Sequence, residues 1–449
     1  MRIFMLGWEF PPFISGGLGT ACYGLTRALN RLGASIDFVL PKAIGPEHTS
    51  HVRLLGPQTD TSAMGGPPAH PFAIEPPAGA DDLSHVSFHA VPSRMLSPYQ
   101  SAGGALRQQG QQDPDGLPGF DPVTRSFGPG TGSEDYDGDL LTEAQRFAAL
   151  CVDLARAEQF DVIHAHDWMT FPAGLAVARV TGRPLVVHVH STEFDRSGEH
   201  INQPVYDIER RGMHGALRVI CVSHLTRSLV HHRYGVDEGK IDVVYNGIDN
   251  GAASAPEIDR SSIKRNDKIV LFLGRITMQK GPEYFVHAAR KVLEKVDNVK
   301  FVMAGSGDMV REVIELAARE GIGQRVLFTG FLRGKDVERV FELADVYVMP
   351  SVSEPFGIAP LEAIRHDVPV IISKTSGVAE VLTHALKVDF WDVNDIADKI
   401  IAVLRHPPLS STLRAHADIE VNRLTWDDAA AKCVNTYHQA MSMMPAWAG

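Results

Sequence analysis

Residues 353–381 read SEPFGIAPLEAIRHDVPVIISKTSGVAEV. Glu354 and Glu362 are separated by seven residues. The pattern predicts a helix opening near Gly357, with the first acid before it and the second about one and a half turns inside. The run 369–373 has the length and apolar character of a buried strand, and Ser376-Gly377 predicts another helix start beside it. A helix N-terminus gathers unpaired N–H groups and positive dipole, so such a loop can receive phosphate while flanking carboxylates take sugar hydroxyls. Two helix starts at strand ends would face one crevice, the place where open parallel sheets bind ligands. Spacing alone would equally describe two solvated acids on a helix, the ordinary state of glutamate.

The spacing comes with Pro355-Phe356-Gly357 and the downstream SGVAEV (376–381). Together they resemble the E-x7-E segment of family 4 glycosyltransferases, the nucleotide-sugar-dependent, retaining enzymes of GT-B fold that include glycogen and sucrose synthases. The resemblance implies an α/β fold of two Rossmann-like, doubly wound domains facing across a cleft.

Working back from this stretch, IVLFLGR (269–275), the run 299–304, 326–330 and 346–350 are further strands, each separated by helical spacing. Strand and helix alternate as in a doubly wound sheet. Arg275 and Lys280 share one loop at a strand end, followed by Gly281. Arginine grips phosphate with a planar fork and lysine adds a mobile point charge. This matches the family's G-R-x4-K-G diphosphate clamp.

The N-terminal half has the same texture. RIFML (2–6) is a strand ending in the rigid GWEFPP (7–12), and SGGLGT (15–20) leads into an amphipathic helix. Glycines before a helix let backbone N–H groups approach an anion, but the loop lacks G-x-G-x-x-G and does not support a dinucleotide dehydrogenase. It resembles the glycine-glycine-leucine loop of glycogen and starch synthases, which places Gly16 and Gly17 near the donor diphosphate. The lysine those enzymes carry two positions earlier is Ile14 here, so adenine and uracil nucleotides both stay open. DVIHAHDW (161–168) and PLVVHVH (184–190) are strands that deliver histidines to a sheet edge. Imidazoles there are structural hydrogen-bonders, site residues or metal ligands; strand alternation without carboxylate or thiolate partners gives no specific ligand set. The two segments resemble the H-A-H-D-W and H-x-x-x-F/Y regions of glycogen synthase-like enzymes. On that match His190 takes the catalytic pocket, and His166 and Asp167 line the acceptor side. VVYNGID (243–249), with Asn246, resembles the segment where the family's first domain ends.

The implied domains are 1–250 on the acceptor side, rejoined by a helix in 425–449, and 251–424 for the nucleotide sugar, with 250–267 as linker. Residues 57–138 are rich in Gly, Pro, Ser and Gln with little periodicity, an excursion whose 108–138 stretch is expected to be mobile. Thr425-Trp426-Asp427-Asp428 has capping-box spacing ahead of the last helix.

Composition narrows the function. The 449 residues suggest two or three domains, and the apolar fraction of 44% is that of a globular chain with no run long enough for a membrane span. A net charge of −11 argues against nucleic acid or an anionic membrane as main partner. The four scattered cysteines and the absence of a signal-peptide pattern point to the cytoplasm.

The expected function is retaining transfer of a hexose, glucose first, from ADP- or UDP-glucose to a glucan acceptor, as in glycogen synthesis. Within that reading Arg275, Lys280, His190 and Glu354 are catalytic. Gly16, Gly17, Gly357, Glu362, Ser376 and Gly377 bind the nucleotide sugar, Glu354 holding the donor sugar's hydroxyls and Glu362 the ribose. No cofactor or metal is required, since side chains replace it and the family works without one. The alternatives are sucrose synthase-like or mannosyl transfer to a small acceptor and, from other classes, a sugar-nucleotide epimerase or a non-catalytic nucleotide-sugar sensor.

Overall fold

Short apolar strands can pair in parallel only when each crossover lays a helix on a sheet face, and this chain does so twice. The computed structural model describes residues 1–10, 16–41, 53–55, 86–90, 139–248 and 267–444. The first unit runs β1 (Arg2–Leu6), α1 (Gly17–Arg31), β2 (Ser35–Leu40), β3 (Arg53–Leu55), β4 (Val86–Ala90), α2 (Asp139–Ala157), β5 (Val162–His166) and α3 (Phe171–Thr181). It continues with β6 (Leu185–Val189), α4 (Glu193–Ser197), α5 (Gln203–Gly215), β7 (Arg218–Cys221), α6 (His224–Tyr234) and β8 (Ile241–Val243). The second begins with β9 (Lys268–Leu273), α7 (Pro282–Leu293), β10 (Val299–Ala304), α8 (Val310–Arg319), β11 (Val326–Gly330), α9 (Lys335–Leu343) and β12 (Val346–Met349). Then come α10 (Ala359–Arg365), β13 (Val370–Ser373), β14 (Leu386–Val388), α11 (Val393–Arg405), α12 (Pro407–Val421) and α13 (Trp426–Ser442).

All described strand pairs are parallel. The sheet orders are β3-β4-β2-β1-β5-β6-β7-β8 and β11-β10-β9-β12-β13-β14. In each, the chain moves outward one way and then returns to the other side of its first strand. The switch points therefore lie between β1 and β5 and between β9 and β12, and their carboxyl ends are the ligand-binding edges of such sheets. The doubly wound α/β reading holds in both halves.

Side chains alternate across each strand, so Ile163, Ala165, Val187 and Val189 pack against α2 and α3. Val162 and Val186 face the opposite layer with α1 and α13. That layer is tight: a Cβ at Gly24 would lie 2.1 Å from Trp426 Cε2, so only glycine lets α1 and α13 approach this closely. Thr425 opens α13 by accepting the Asp428 N–H at 3.2 Å, and Thr436 donates to Asp242 of β8 at 2.9 Å. The last helix thus packs on the first sheet.

Four local expectations are corrected or lie out of view. The helix after Glu354 begins at Ala359 rather than Gly357, because Gly357 has φ +102° and cannot continue a right-handed helix. Glu362 consequently sits in the first turn. The second helix start is only a 3-10 turn, Gly377–Glu380. The 108–138 stretch and the 250/251 boundary lie outside the described residues.

Candidate functional site

At the edge of the first sheet β5 ends in His166-Asp167 and β6 runs into His190. Asp167 has φ +58°, a left-handed conformation uncommon outside glycine and found mostly in short polar residues. The turn aims its carboxylate at the next strand, where Oδ1 accepts the N–H groups of His190 at 2.7 Å and Ser191 at 3.3 Å. Burial raises the Asp167 pKa to about 7, against these hydrogen bonds and Arg196, which lower it. The expected acceptor-side acid therefore has one oxygen committed to holding the His190 backbone. His166 Nδ1 lies 2.8 Å from His190 Nε2, and burial lowers the His190 pKa to about 3, leaving a neutral ring. The segment after it is braced by its own caps. Thr192 and Asp195 close a capping box on α4, while Arg196 bridges Glu193 and buried Glu209.

The second sheet brings Arg275, Lys280 and Glu354 to one edge. Lys280 closes a 3-10 turn (Met278–Lys280) after β9 and makes a close ion pair with Glu354, whose Oε2 also accepts from Ser351 Oγ at 3.3 Å. Arg275 donates to Gln279 Oε1 at 3.1 Å. Glu354 aligns with Ser376 in a short parallel bridge, and its backbone N–H donates to Thr375 O at 3.0 Å. Burial raises the Glu362 pKa to about 7.

One expected role changes here. The Gly377 N–H donates to Glu354 O at 2.9 Å and the Val378 N–H to Phe356 O at 2.8 Å, so these amides are spent on the loop instead of facing phosphate. Gly377 is needed for approach: a Cβ would lie 2.2 Å from Pro355 O and 2.6 Å from Ser223 Cβ. The Ser376 hydroxyl likewise donates to Ser373 O at 2.6 Å. By contrast Gly16 and Gly17 open α1 with no side-chain cap and with space where a Cβ would be. Asn246 is buried two residues before Ile248, which bridges Thr425.

The two edges meet across the cleft. Ser353 Oγ donates to Asp195 Oδ1 at 2.5 Å, and α4 comes within 8 Å, Cα to Cα, of the turn bearing Lys280. Ser223, the N-cap of α6, donates to Pro355 O at 2.6 Å. The Glu380 carboxylate accepts the His224 and Leu225 N–H groups at 3.0 and 2.7 Å and the Tyr245 hydroxyl at 2.9 Å. A carboxylate from one domain thus caps a helix of the other, where the dipole favours negative charge. Sequence reasoning missed Asp195, Ser223, Ser353 and Glu380, whose polar types are ordinary for loops. Only the V-A-E of SGVAEV hinted at the last.

The chain matches three family models in succession: "Starch synthase catalytic domain" over residues 2–74, "Glycosyltransferase Family 4" over 138–251 and "Glycosyl transferases group 1" over 254–418. It is 29% identical to an uncharacterized glycosyltransferase of Methanocaldococcus jannaschii over 460 residues, covering 99% of this chain and 100% of that one. It is 24% identical to glycogen synthase of Mycobacterium tuberculosis, covering 97% and 94%. Among solved structures, sucrose-phosphate synthase from Thermosynechococcus elongatus superposes with TM-score 0.71 at 18% identity, covering 98% and 99%. Anabaena HepE in complex with UDP-glucose superposes with TM-score 0.67 at 18% identity, covering 98% and 100%. These two share the fold.

Proposed function

Since this chain belongs to the glycosyltransferases of GT-B fold, we propose that its cleft transfers glucose, with retention, from UDP- or ADP-glucose to a glucan end. The observation that carries this reading is the junction across the cleft. The Asp195–Ser353 hydrogen bond brings the loop following His190 against the loop bearing Glu354, which is itself paired with Lys280. A nucleotide sugar needs those chemistries side by side: cations for two phosphates, a carboxylate for sugar hydroxyls and a polar group near the reacting carbon.

In the transfer, the bond from sugar C1 to the diphosphate oxygen breaks and one to the acceptor oxygen forms on the same face. The acceptor's proton passes to the departing phosphate. Negative charge grows on the leaving oxygen, where preorganised donors are worth most. Arg275 and Lys280 supply them, with the open N-terminus of α1 at Gly16 and Gly17 as a further dipole. Arriving diphosphate competes with Glu354 for Lys280 and frees the carboxylate for the donor sugar, while Glu362 takes the ribose. His166 and Asp167 border the acceptor path. The transfer needs no metal ion, its charge being met by side chains.

The glucan acceptor is supported by the near full-length similarity to a glycogen synthase, and the donor class by a neighbour solved with UDP-glucose. Among the described residues no helix is long and apolar enough to cross a membrane, and the four cysteines are buried and unpaired. Free thiols suit the reducing cytoplasm in which we place the enzyme.

The test is incubation of the purified chain with UDP- and ADP-glucose, with and without glucan. Glucan-dependent release of nucleoside diphosphate with an α-linked product is expected. Epimerised sugar nucleotide, or binding without turnover, would replace the reading.

A further inference from the structure

β5 carries one H-x-H pattern and β6, with the residue that follows it, carries another, and the register of the two strands sets His166 opposite His188. With His164 behind and His190 ahead, four imidazoles form a staggered array in the layer beneath α13. Ring centroids are 4.2 Å apart within each strand and 5.3 Å apart for the pairs His164–His188 and His166–His188. Five of their ring nitrogens are buried without a hydrogen-bond partner: His164 Nε2, His166 Nε2, both nitrogens of His188 and His190 Nδ1. Each such orphan costs about 1–3 kcal/mol, and so many in one place call for a shared partner.

We propose that His164, His166 and His188 bind one divalent transition-metal ion of the Zn²⁺ class, through Nε2 of the first two and one ring nitrogen of the third. The ligand atoms of these three lie within 4.8 Å of one another. Tetrahedral coordination at about 2.0–2.1 Å places nitrogens roughly 3.4 Å apart, a distance reached by pivoting the rings inward. Three neutral imidazoles with no carboxylate suit zinc and its neighbours and not the oxygen-seeking Mg²⁺ or Ca²⁺. Burial keeps the rings unprotonated, as ligands must be.

For two of the three ligands, His164 and His166, the second nitrogen strengthens the assignment. Metal-bound histidines are held by a hydrogen bond at the other ring nitrogen. Here His164 Nδ1 meets Tyr437 Oη at 2.7 Å and His166 Nδ1 meets His190 Nε2 at 2.8 Å. Metal at His166 Nε2 leaves the proton on Nδ1, which then donates to His190 Nε2 and puts the His190 proton on its own Nδ1. The ion would join β5 and β6 to α13 and set the tautomer of a site residue without entering the transfer. Single-strand alternation hid this site, because the ligand set exists only once two H-x-H strands pair.

Untagged full-length protein, stripped with chelator, should be titrated with Co²⁺ and Zn²⁺. One equivalent per chain by elemental analysis is expected, with the visible absorption of tetrahedral Co²⁺, its displacement by Zn²⁺ and a higher Tm. His164→Gln and His188→Gln should abolish the Co²⁺ spectrum, and Tyr437→Phe, which keeps all three ligands, should weaken affinity about 10–100-fold. The proposal is overturned if the stripped wild-type chain takes up no metal, or if folded His164→Gln/His188→Gln protein binds Co²⁺ as the wild type does. If the histidine variants do not fold, the wild-type titration and Tyr437→Phe decide, and unchanged affinity in the latter counts against it.

Discussion

Ser353 donates to Asp195 Oδ1 across the cleft at 2.5 Å, while the other oxygen of the same carboxylate accepts the Thr192 N–H at 2.8 Å. One side chain therefore both caps α4, three residues after His190, and ties it to the loop of Glu354. Because Ser353 contributes only the cross-cleft half, Ser353→Ala separates the two roles. A hydrogen bond to a charged group is worth about 1.5–3 kcal/mol, so kcat/KM should fall roughly 10- to 150-fold with Tm nearly unchanged. Steady-state kinetics with thermal melts check this, and an equal loss of stability would make the contact structural.

Arg275 and Lys280 are expected to act on the departing diphosphate. Losing a preorganised donor costs roughly 3–4 kcal/mol in the transition state, or about 100- to 1000-fold in kcat. Arg275→Ala should show that fall, and Arg275→Lys should recover little, since lysine lacks the planar fork. A variant with unchanged kcat and raised KM would mean uniform binding instead.

His190→Ala should lower turnover strongly and leave nucleoside diphosphate affinity near the wild-type value, since the ring belongs to the first sheet and the cations to the second. Calorimetric titration with UDP and ADP beside turnover assays distinguishes this from a nucleotide-site role, in which affinity collapses too.

In chelator-treated protein the four buried histidines should cost stability as pH falls from about 6.5. His164 and His190 titrate near 3 when folded against 6.5 for a free ring, and His166 and His188 shift the same way, all chiefly through burial. Between those values the unfolded chain binds more protons, so each ring removes up to about 1.4 kcal/mol per pH unit. Asp167 and Glu362, held near 7 by burial, act oppositely, because between about 7 and 4 the folded chain takes their protons first. Glu209 and Glu283, also raised chiefly by burial, add to the opposing side, so the rings are read by difference: His188→Gln should lose less stability than the wild type between pH 7 and 5. Urea unfolding of both proteins at pH 7, 6 and 5 measures the difference, and equal slopes would mean that the His188 ring is charged or solvated in the folded chain.

The sequence by itself determined the doubly wound class, the positions of most strands and the residues worth watching at their ends, from RIFML to the E-x7-E loop. These are local properties: apolar runs bounded by glycine and proline, and polar residues set where a strand must stop. Even there, Gly357 and Gly377 were read as helix starts, because a glycine before an apolar run signals a turn without revealing its φ or which carbonyl its N–H will find. Only the tertiary structure decided that Lys280 pairs with Glu354, that Glu380 caps α6 of the other domain, and that Asp195 meets Ser353. Contacts between loops far apart in the chain depend on how two sheets dock, and no periodicity encodes that. The histidine array shows the division most plainly. Each H-x-H was visible as a strand end, but the four-ring cluster depends on the register that sets His166 beside His188 and on Tyr437 arriving from the last helix.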